Sequence, residues 1–476
     1  MKTQAKNYIN GKWVPGTLGK IDMINPSYNT KAGEIARSGD QDVDKAVKAA
    51  RNAFNRVWGK TDAANRGRIL YKIANVLEEH LDELSELESA DTGKPIKQAR
   101  TDASLCARYF EFYAGAADKL HGDTIPFMDG YSVYTKRVPL GVTGHIIPWN
   151  YPLQMTGRTL APALAAGNTA VFKPAEDACL AVVRVFELIH EAGFPPGVVN
   201  LVTGLGDEAG AALANHPGID HMAFTGSPEV GKIVMKNSAD HIRPVLLELG
   251  GKSPQVVFND ADIEAAMPVI VNAIIQNAGQ TCSAGSRLVI QEDIHDDVVH
   301  ELIKRFKKLK TGPADKNPDV GPIITKKQLE RVEGFVQRAI DDGAEILAQG
   351  DKPDGEGFFF PPMLMGRVNN ESFIAQNEVF GPVLTVIPFK DEADAIRIAN
   401  DVEYGLIAAV WTKDVGKAHR VAEAIDAGQV YINGYGAGGG VELPFGGMKK
   451  SGFGREKGFE ALYDVTAVKT VIVNHG

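Results

Sequence analysis

The sequence predicts an α/β protein with two parallel sheets and a small β-arm outside them. Three observations lead there. Between Gly141 and Gly251, short apolar runs alternate with helix-length amphipathic stretches, the pattern of parallel strands covered by helices on both faces. A second strand–helix series starts at Gln255. Extended segments at 121–140 and 467–473, the first rich in turn residues, fit neither series. A chain of 476 residues is too long for one ordinary core, so two or three domains are expected.

In chain order, Tyr8-Ile9-Asn10-Gly11-Lys12-Trp13 predicts a hairpin, with Asn-Gly at its turn. Asp42 opens an amphipathic helix with Val43, Ala46, Val47, Ala50 and Phe54 on one face. A second helix after Arg66 carries Ile69, Ile73, Val76, Leu77, Leu81 and Leu84 on its stripe. A third runs from Lys97 to Lys119 and takes Cys106 into the core. Tyr131 to Thr135 reads as a strand of the arm. Strands follow at 142–147, 169–173, 198–202, 221–225 and 245–249, with helices from Pro152 and after Asp177, Asp207 and Ser227. Ser227 and Pro228 suit the cap and first position of a helix. The second series holds a strand at 255–258, helices after Asp262, Asp296 and Thr325 and from Asp391 to Asn400, and a late strand at 430–433. The apolar run Ala265 to Ile275 reads as a buried helix that Gly279 ends. The terminal strand at 467–473 is a bare edge unless something pairs with it.

Charged residues are 23% and hydrophobic residues 44%, with a net charge of −9. That balance argues against nucleic acid or an anionic membrane as partner. Cys106, Cys179 and Cys282 are too few and too scattered for a disulfide framework, and a reducing compartment is expected. With no Cys-x-x-Cys, no metal cluster is expected. No apolar signal core and no run near the roughly 20 residues of a membrane span point to a cytoplasmic protein.

Chemistry centres on Asn277-Ala278-Gly279-Gln280-Thr281-Cys282-Ser283. Cys282 sits on a tight loop between a buried helix and the strand Arg287 to Ile290, with small neighbours that leave the sulfur approachable; the plain alternative is an inert core cysteine. Gly204-Leu205-Gly206-Asp207-Glu208-Ala209-Gly210 is one residue off a dinucleotide fingerprint and reads better as loop punctuation. Gly226-Ser227 at a helix start offers free amides to a pyrophosphate. Lys173 and Glu176 follow a strand's carboxyl end, where a carboxylate can accept both ribose hydroxyls. Asn150, in Pro148-Trp149-Asn150-Tyr151-Pro152, could donate to an oxyanion. Glu248 stands in an apolar run, where a buried carboxylate needs a partner or a function.

Glu248-Leu249-Gly250-Gly251-Lys252 followed by Gly279-Gln280-Thr281-Cys282 resembles the paired signature of the aldehyde dehydrogenase superfamily. Pro148 to Pro152, Lys173-Pro174-Ala175-Glu176, Phe224-Thr225-Gly226-Ser227, Glu378-Val379-Phe380-Gly381-Pro382 and Pro444-Phe445-Gly446-Gly447 match further family motifs in order, across essentially the whole chain. The resemblance implies a Rossmann-like cofactor domain (1–120 and 141–249), an α/β catalytic domain (250–449) and a β oligomerisation arm (121–140 and 450–476). It implies Cys282 as nucleophile, Asn150 in the oxyanion hole, Glu248 activating the deacylating water and Glu456 relaying protons. It places Lys173 and Glu176 at the adenosine ribose and Gly226 and Ser227 at the pyrophosphate. Ile146 and Trp149 line the cofactor cleft, Glu378 holds the nicotinamide ribose, Phe380 packs nearby, and Gln328 also touches the cofactor.

The reaction implied is oxidation of an aldehyde to its acid with NAD(P) through a thiohemiacetal and a thioester. NAD is favoured over NADP, because Glu176 would face a 2′-phosphate. Coenzyme A-acylating relatives often lack the carboxylate matching Glu248; a non-catalytic binding protein would not need Cys282, Asn150 and Glu248 together. Asn377 replaces a frequent acidic residue, Pro228 sits where cofactor preference varies, and Gln276 stands where some semialdehyde enzymes carry arginine. Arg158 lies eight residues after Asn150, about two helical turns, so it shares the face toward Cys282 with Tyr151 on the substrate side. Many relatives resembling betaine or simple aliphatic aldehyde enzymes carry tryptophan there. Arginine would grip a carboxylate or stack on an aromatic ring, or else pair with an acidic neighbour. Gly434 to Gly440 add little bulk, so an aromatic or carboxylate-bearing aldehyde is expected. The arm and the terminal strand lack partners in a single chain, so a homodimer or homotetramer is expected.

Overall fold

The two strand–helix series form two separate sheets in the computed structural model, which describes residues 5–436 and 440–476. The first sheet has eight strands, in the order Lys12–Val14, Asn7–Ile9, Val199–Leu201, Thr169–Lys173, Val142–Ile146, His221–Thr225, Val245–Glu248, Gly452–Phe453. From Val199–Leu201 to Val245–Glu248 neighbouring strands are parallel. Helices cover both faces, so a strand such as Thr169–Lys173 is buried at every position, which is why it reads as a continuous apolar run. The edge hairpin pairs Tyr8 with Trp13, and Asn10 and Gly11 both take positive φ, as a two-residue turn requires.

The second sheet has seven strands, in the order Glu345–Gln349, Met363–Gly366, Val383–Phe389, Arg287–Gln291, Pro254–Val257, Ile407–Trp411, Gln429–Ile432. It is parallel except at Glu345–Gln349. Its core includes Val256, Leu288, Val289, Leu384 and Val410, all buried. Ile146, Lys173, Thr225 and Glu248 each end a first-sheet strand. Open parallel sheets bind ligands at such carboxyl ends.

Several expectations are corrected. The first helix spans Asp40–Arg56, and Asp42 sits one turn in, accepting from the backbone of Thr17 and Gly39. The helix after Arg66 is two helices, Ala63–Glu79 and Leu81–Thr92, broken at His80; one apolar stripe runs across the break because both halves pack on the same core. The helix after Asp207 is a π turn, Gly206–Gly210, with one short helix, Ala211–Ala214. The helix before Cys282 stops at Ile275, not at Gly279.

The arm needs the largest correction. Tyr131–Pro139 and Thr466–Asn474 pair antiparallel along their whole length, from Pro139 with Thr466 to Tyr131 with Asn474. Each therefore supplies the backbone partner that the other lacked. In the three-stranded sheet they form with Thr124–Ile125, Thr466–Asn474 is an outer strand, and Val468, Ile472 and Val473 are exposed on it. No helix among the described residues is long and apolar enough to cross a membrane.

Candidate active site

The loop that carries Cys282 leaves its helix through three successive left-handed residues: Asn277 (φ 48°), Ala278 (φ 53°) and Gly279 (φ 69°). At Gly279 a Cβ would run into the Gly381 carbonyl, so only glycine fits. Ala278 has no such freedom, and a left-handed alanine costs about 1–3 kcal/mol. A lattice of amide side chains holds the loop there. Asn150 Nδ2 donates to the Gln280 carbonyl at 2.9 Å. Asn277 Nδ2 donates to the Asn150 carbonyl at 3.0 Å and to that of Gln280 at 3.2 Å. The Gln280 side chain donates to the Asn277 carbonyl at 3.1 Å and accepts from the Ile324 amide at 3.0 Å. Asn150 thus has one N–H committed to the nucleophile loop and a second N–H to offer.

Cys106 and Cys179 are fully buried, whereas Cys282 is only partly so and opens on a cavity of about 470 Å³. Its carbonyl packs on Gly251, where a Cβ would collide with it, and its side chain packs on the Leu406, Ile407 and Phe445 cluster. The apolar surroundings push the thiol up to about 12, with Arg158 acting the other way. The resting group is therefore a thiol, which must lose its proton as it reacts.

Glu248 is 2% exposed and lines the same cavity. Burial and the neighbouring Glu456 push its carboxyl up to about 8, opposed by Arg158. Glu456 is also buried and raised, mainly by burial. Between them lies Arg158. Its Nη2 is 3.7 Å from Glu248 Oε2, its Nε is ion-paired with Glu456 Oε2, and the guanidinium stacks 4.2 Å from the centre of the Phe445 ring. Arg158 lines the cavity with Cys282, and its charge is engaged by Glu248 and Glu456, the pairing with an acidic neighbour that the sequence left as the alternative to a grip on substrate. Gln276, the other position relevant to an anionic substrate, lines the cavity and is neutral.

At the other side of the cavity, Trp149 and Phe380 meet edge to face at 5.2 Å. Gln328 Nε2 donates to the Phe380 carbonyl at 3.0 Å and fixes that residue's left-handed backbone. Glu378 Oε1 accepts from the Gly251 amide at 2.9 Å, linking this side to the turn under Cys282. Ser227 caps the helix Pro228–Asp240, and Gly226 and Ser227 line the cavity. Beside them the Thr225 hydroxyl is buried without a hydrogen-bond partner among the described residues, as suits a site meant for an acceptor group.

Lys173, Glu176 and Ile146 do not line this cavity but lie on neighbouring strand ends, with Ile146 in register with Lys173. Lys173 Nζ donates to Glu176 Oε2 at 3.1 Å, and the Gly206 amide donates to Glu176 Oε1 at 3.1 Å. Burial raises Glu176, but the Lys173 charge and backbone donors outweigh it and hold the carboxyl below its usual range. Of the Gly434 to Gly440 loop, 437–439 lie outside the described residues.

Some site residues carried no recognised signal. Tyr151 lines the cavity as expected, but its hydroxyl lies 2.8 Å from Thr281 Oγ1, and buried Lys94 sits 4.1 Å from the ring centre. Lys94 pairs with Glu88 and Asp102; a lysine between two helices gives no hint of burial. Tyr435, in the glycine-rich loop, donates to the Ser283 carbonyl at 2.6 Å. Lys457 lines the cavity 5.0 Å from the Phe445 ring centre, and burial with Arg158 pushes it down to about 7. A polar residue beside Glu456 was the available clue.

Residues 13–471 match the model of the aldehyde dehydrogenase family. The chain is 42% identical to the betaine aldehyde dehydrogenase of Bacillus subtilis, covering 98% of this chain and 97% of that protein. It superposes on a crystal structure of a provisionally named aldehyde dehydrogenase from Burkholderia cenocepacia with TM-score 0.98 and 53% identity, covering 99% of this chain and 100% of that one. An NAD+ complex of an aldehyde dehydrogenase from Bacillus cereus gives TM-score 0.97 at 42% identity, over 99% and 97% of the two chains.

Proposed function

The chain belongs to the aldehyde dehydrogenase family and is an oxidoreductase acting on aldehydes, and on that premise we propose that it oxidises a neutral aromatic aldehyde to the acid, with NAD, through Cys282. The observation that carries this reading is the meeting of Cys282, the Asn150 amide and Glu248 at one cavity. The Cys282 sulfur adds to the aldehyde carbon and gives a thiohemiacetal. Asn150 donates its second N–H to the oxygen. Bound NAD would supply the acceptor for the hydride of the thiohemiacetal carbon. Glu248 then draws a proton from water attacking the thioester. Gly226, Ser227, Gln328, Glu378, Trp149 and Phe380 would hold the cofactor beside Cys282, and Lys173 with Glu176 would hold its ribose, with Ile146 lining the cleft. The first sheet serves as cofactor domain (1–120, 141–249), the second as catalytic domain (250–449), and 121–140 with 450–476 as the arm. A panel of aldehydes with NAD and no coenzyme A tests the reaction; NADH formation only on adding coenzyme A would mean the acylating alternative.

The aromatic reading rests on the cavity wall, where Leu105, Tyr151, Tyr431, Tyr435 and Phe445 gather. Arg158 and Lys457 both lie over the Phe445 ring, and Lys94 lies over the Tyr151 ring. A quaternary ammonium would find those rings taken by resident cations. Benzaldehyde is therefore expected to show kcat/KM about fivefold or more above betaine aldehyde, since losing one such contact is worth roughly 1 kcal/mol or more. Betaine aldehyde as the best substrate of a broad panel would refute this.

NAD is expected to be used with higher kcat/KM than NADP. The ionised Glu176 would meet a 2′-phosphate, and the Lys173 ammonium offsets only part of the repulsion. Equal efficiency with both cofactors would count against it.

A homodimer or homotetramer is proposed from the open outer edge of Thr466–Asn474 and its exposed Val468, Ile472 and Val473. Light scattering at micromolar concentration should give a multiple of the chain mass; a monomer would contradict it.

A further inference from the structure

Glu248 and Glu456 arrive from opposite parts of the second half of the chain and end up buried at one guanidinium. Neither oxygen of either carboxylate makes a well-formed hydrogen bond among the described residues. Two carboxylates in a dry site cannot both ionise without compensation. Arg158 touches both, and the Phe445 face keeps its plane in place.

We propose that Arg158 is a positioning residue for hydrolysis of the acyl-enzyme: it favours the ionised form of Glu248 beside Glu456, and it does not hold the substrate. This rests on the reading of Glu248 as the base. In the step served, the water oxygen bonds to the acyl carbon and one water proton passes to Glu248. The carbon–sulfur bond breaks, sulfur leaves as the Cys282 thiolate, and the acid departs. The charged and titratable groups around Glu248 are Arg158 from the helix Pro152–Ala166, Glu456, Arg455 and Lys457 from the segment after Phe453, and Cys282. Tyr109 faces Arg158 from the helix Ile96–Ala116. Of the cations, Arg158 is ion-paired with both carboxylates, and its charge is permanent at working pH.

Arg158→Gln, Arg158→Lys and Glu248→Gln decide the matter, each measured by rapid mixing and by kcat against pH with benzaldehyde and with acetaldehyde. In Arg158→Gln the first burst of NADH should survive. At neutral pH kcat should fall about tenfold or more for both aldehydes, and the alkaline rise in kcat should move upward by about one pH unit or more, as expected when a neighbouring cation is lost. Arg158→Lys, which keeps the charge without spanning both carboxylates, should restore part of the rate and move the rise by less. If Arg158→Gln does not fold, that Arg158→Lys shift carries the test, and an unmoved rise overturns the proposal. A raised KM for one aldehyde class, with kcat and pH profile unchanged, would make Arg158 a substrate clamp and overturn it too. An undiminished Glu248→Gln would instead overturn the assignment of the base; a slow Glu248→Gln beside an unaffected Arg158→Gln would overturn the role of Arg158 alone.

Discussion

Cys282→Ala should lose aldehyde oxidation by about four orders of magnitude or more, the scale on which removing a covalent nucleophile acts, while binding NAD nearly as the parent does. The asymmetry follows from the layout. The Cys282 side chain lines the cavity and packs on Leu406, Ile407 and Phe445. The proposed cofactor contacts come from Gly226, Ser227, Gln328, Glu378 and Phe380, held by their own bonds to other groups. Alanine removes one sulfur and leaves the amide lattice through Asn150, Asn277 and Gln280 intact, so the loop should keep its shape. NAD binding by calorimetry and NADH formation by absorbance separate the two effects. Residual oxidation within tenfold of the parent would sink the covalent route.

Glu248→Gln should turn over about a hundredfold or more slower, the usual share of a positioned base, yet still release one rapid equivalent of NADH. Glutamine fills the same space and cannot take the water proton, so the acyl-enzyme forms and then waits. The pH dependence has a definite sign. Burial and Glu456 push the Glu248 carboxyl up to about 8, so the base form grows as pH rises through that value and kcat should climb with it. In Glu248→Gln this climb should vanish. A variant that lost the burst itself would place Glu248 in hydride transfer; one that kept the climb would assign it to another group.

Much of this was written locally in the chain. Apolar runs with helical spacers gave the parallel strands because a strand buried on both faces has no polar side to show, as at Thr169–Lys173. Asn10-Gly11 and Ser227-Pro228 gave a turn and a cap because each motif supplies its own backbone geometry. The loop of Cys282 stood out through its small neighbours and its place between two buried elements. Tertiary structure alone decided the rest. The left-handed Ala278 has no signature, since the conformation is imposed by side chains of Asn150, Asn277 and Gln280. Tyr131–Pro139 found its partner in Thr466–Asn474, and backbone pairing carries no address that a single strand can display. Helical spacing put Arg158 on the face toward Cys282, but an arginine can hold a substrate or a neighbour equally well. Only the folding of Glu456 and Glu248 against it brought its charge to two buried carboxylates.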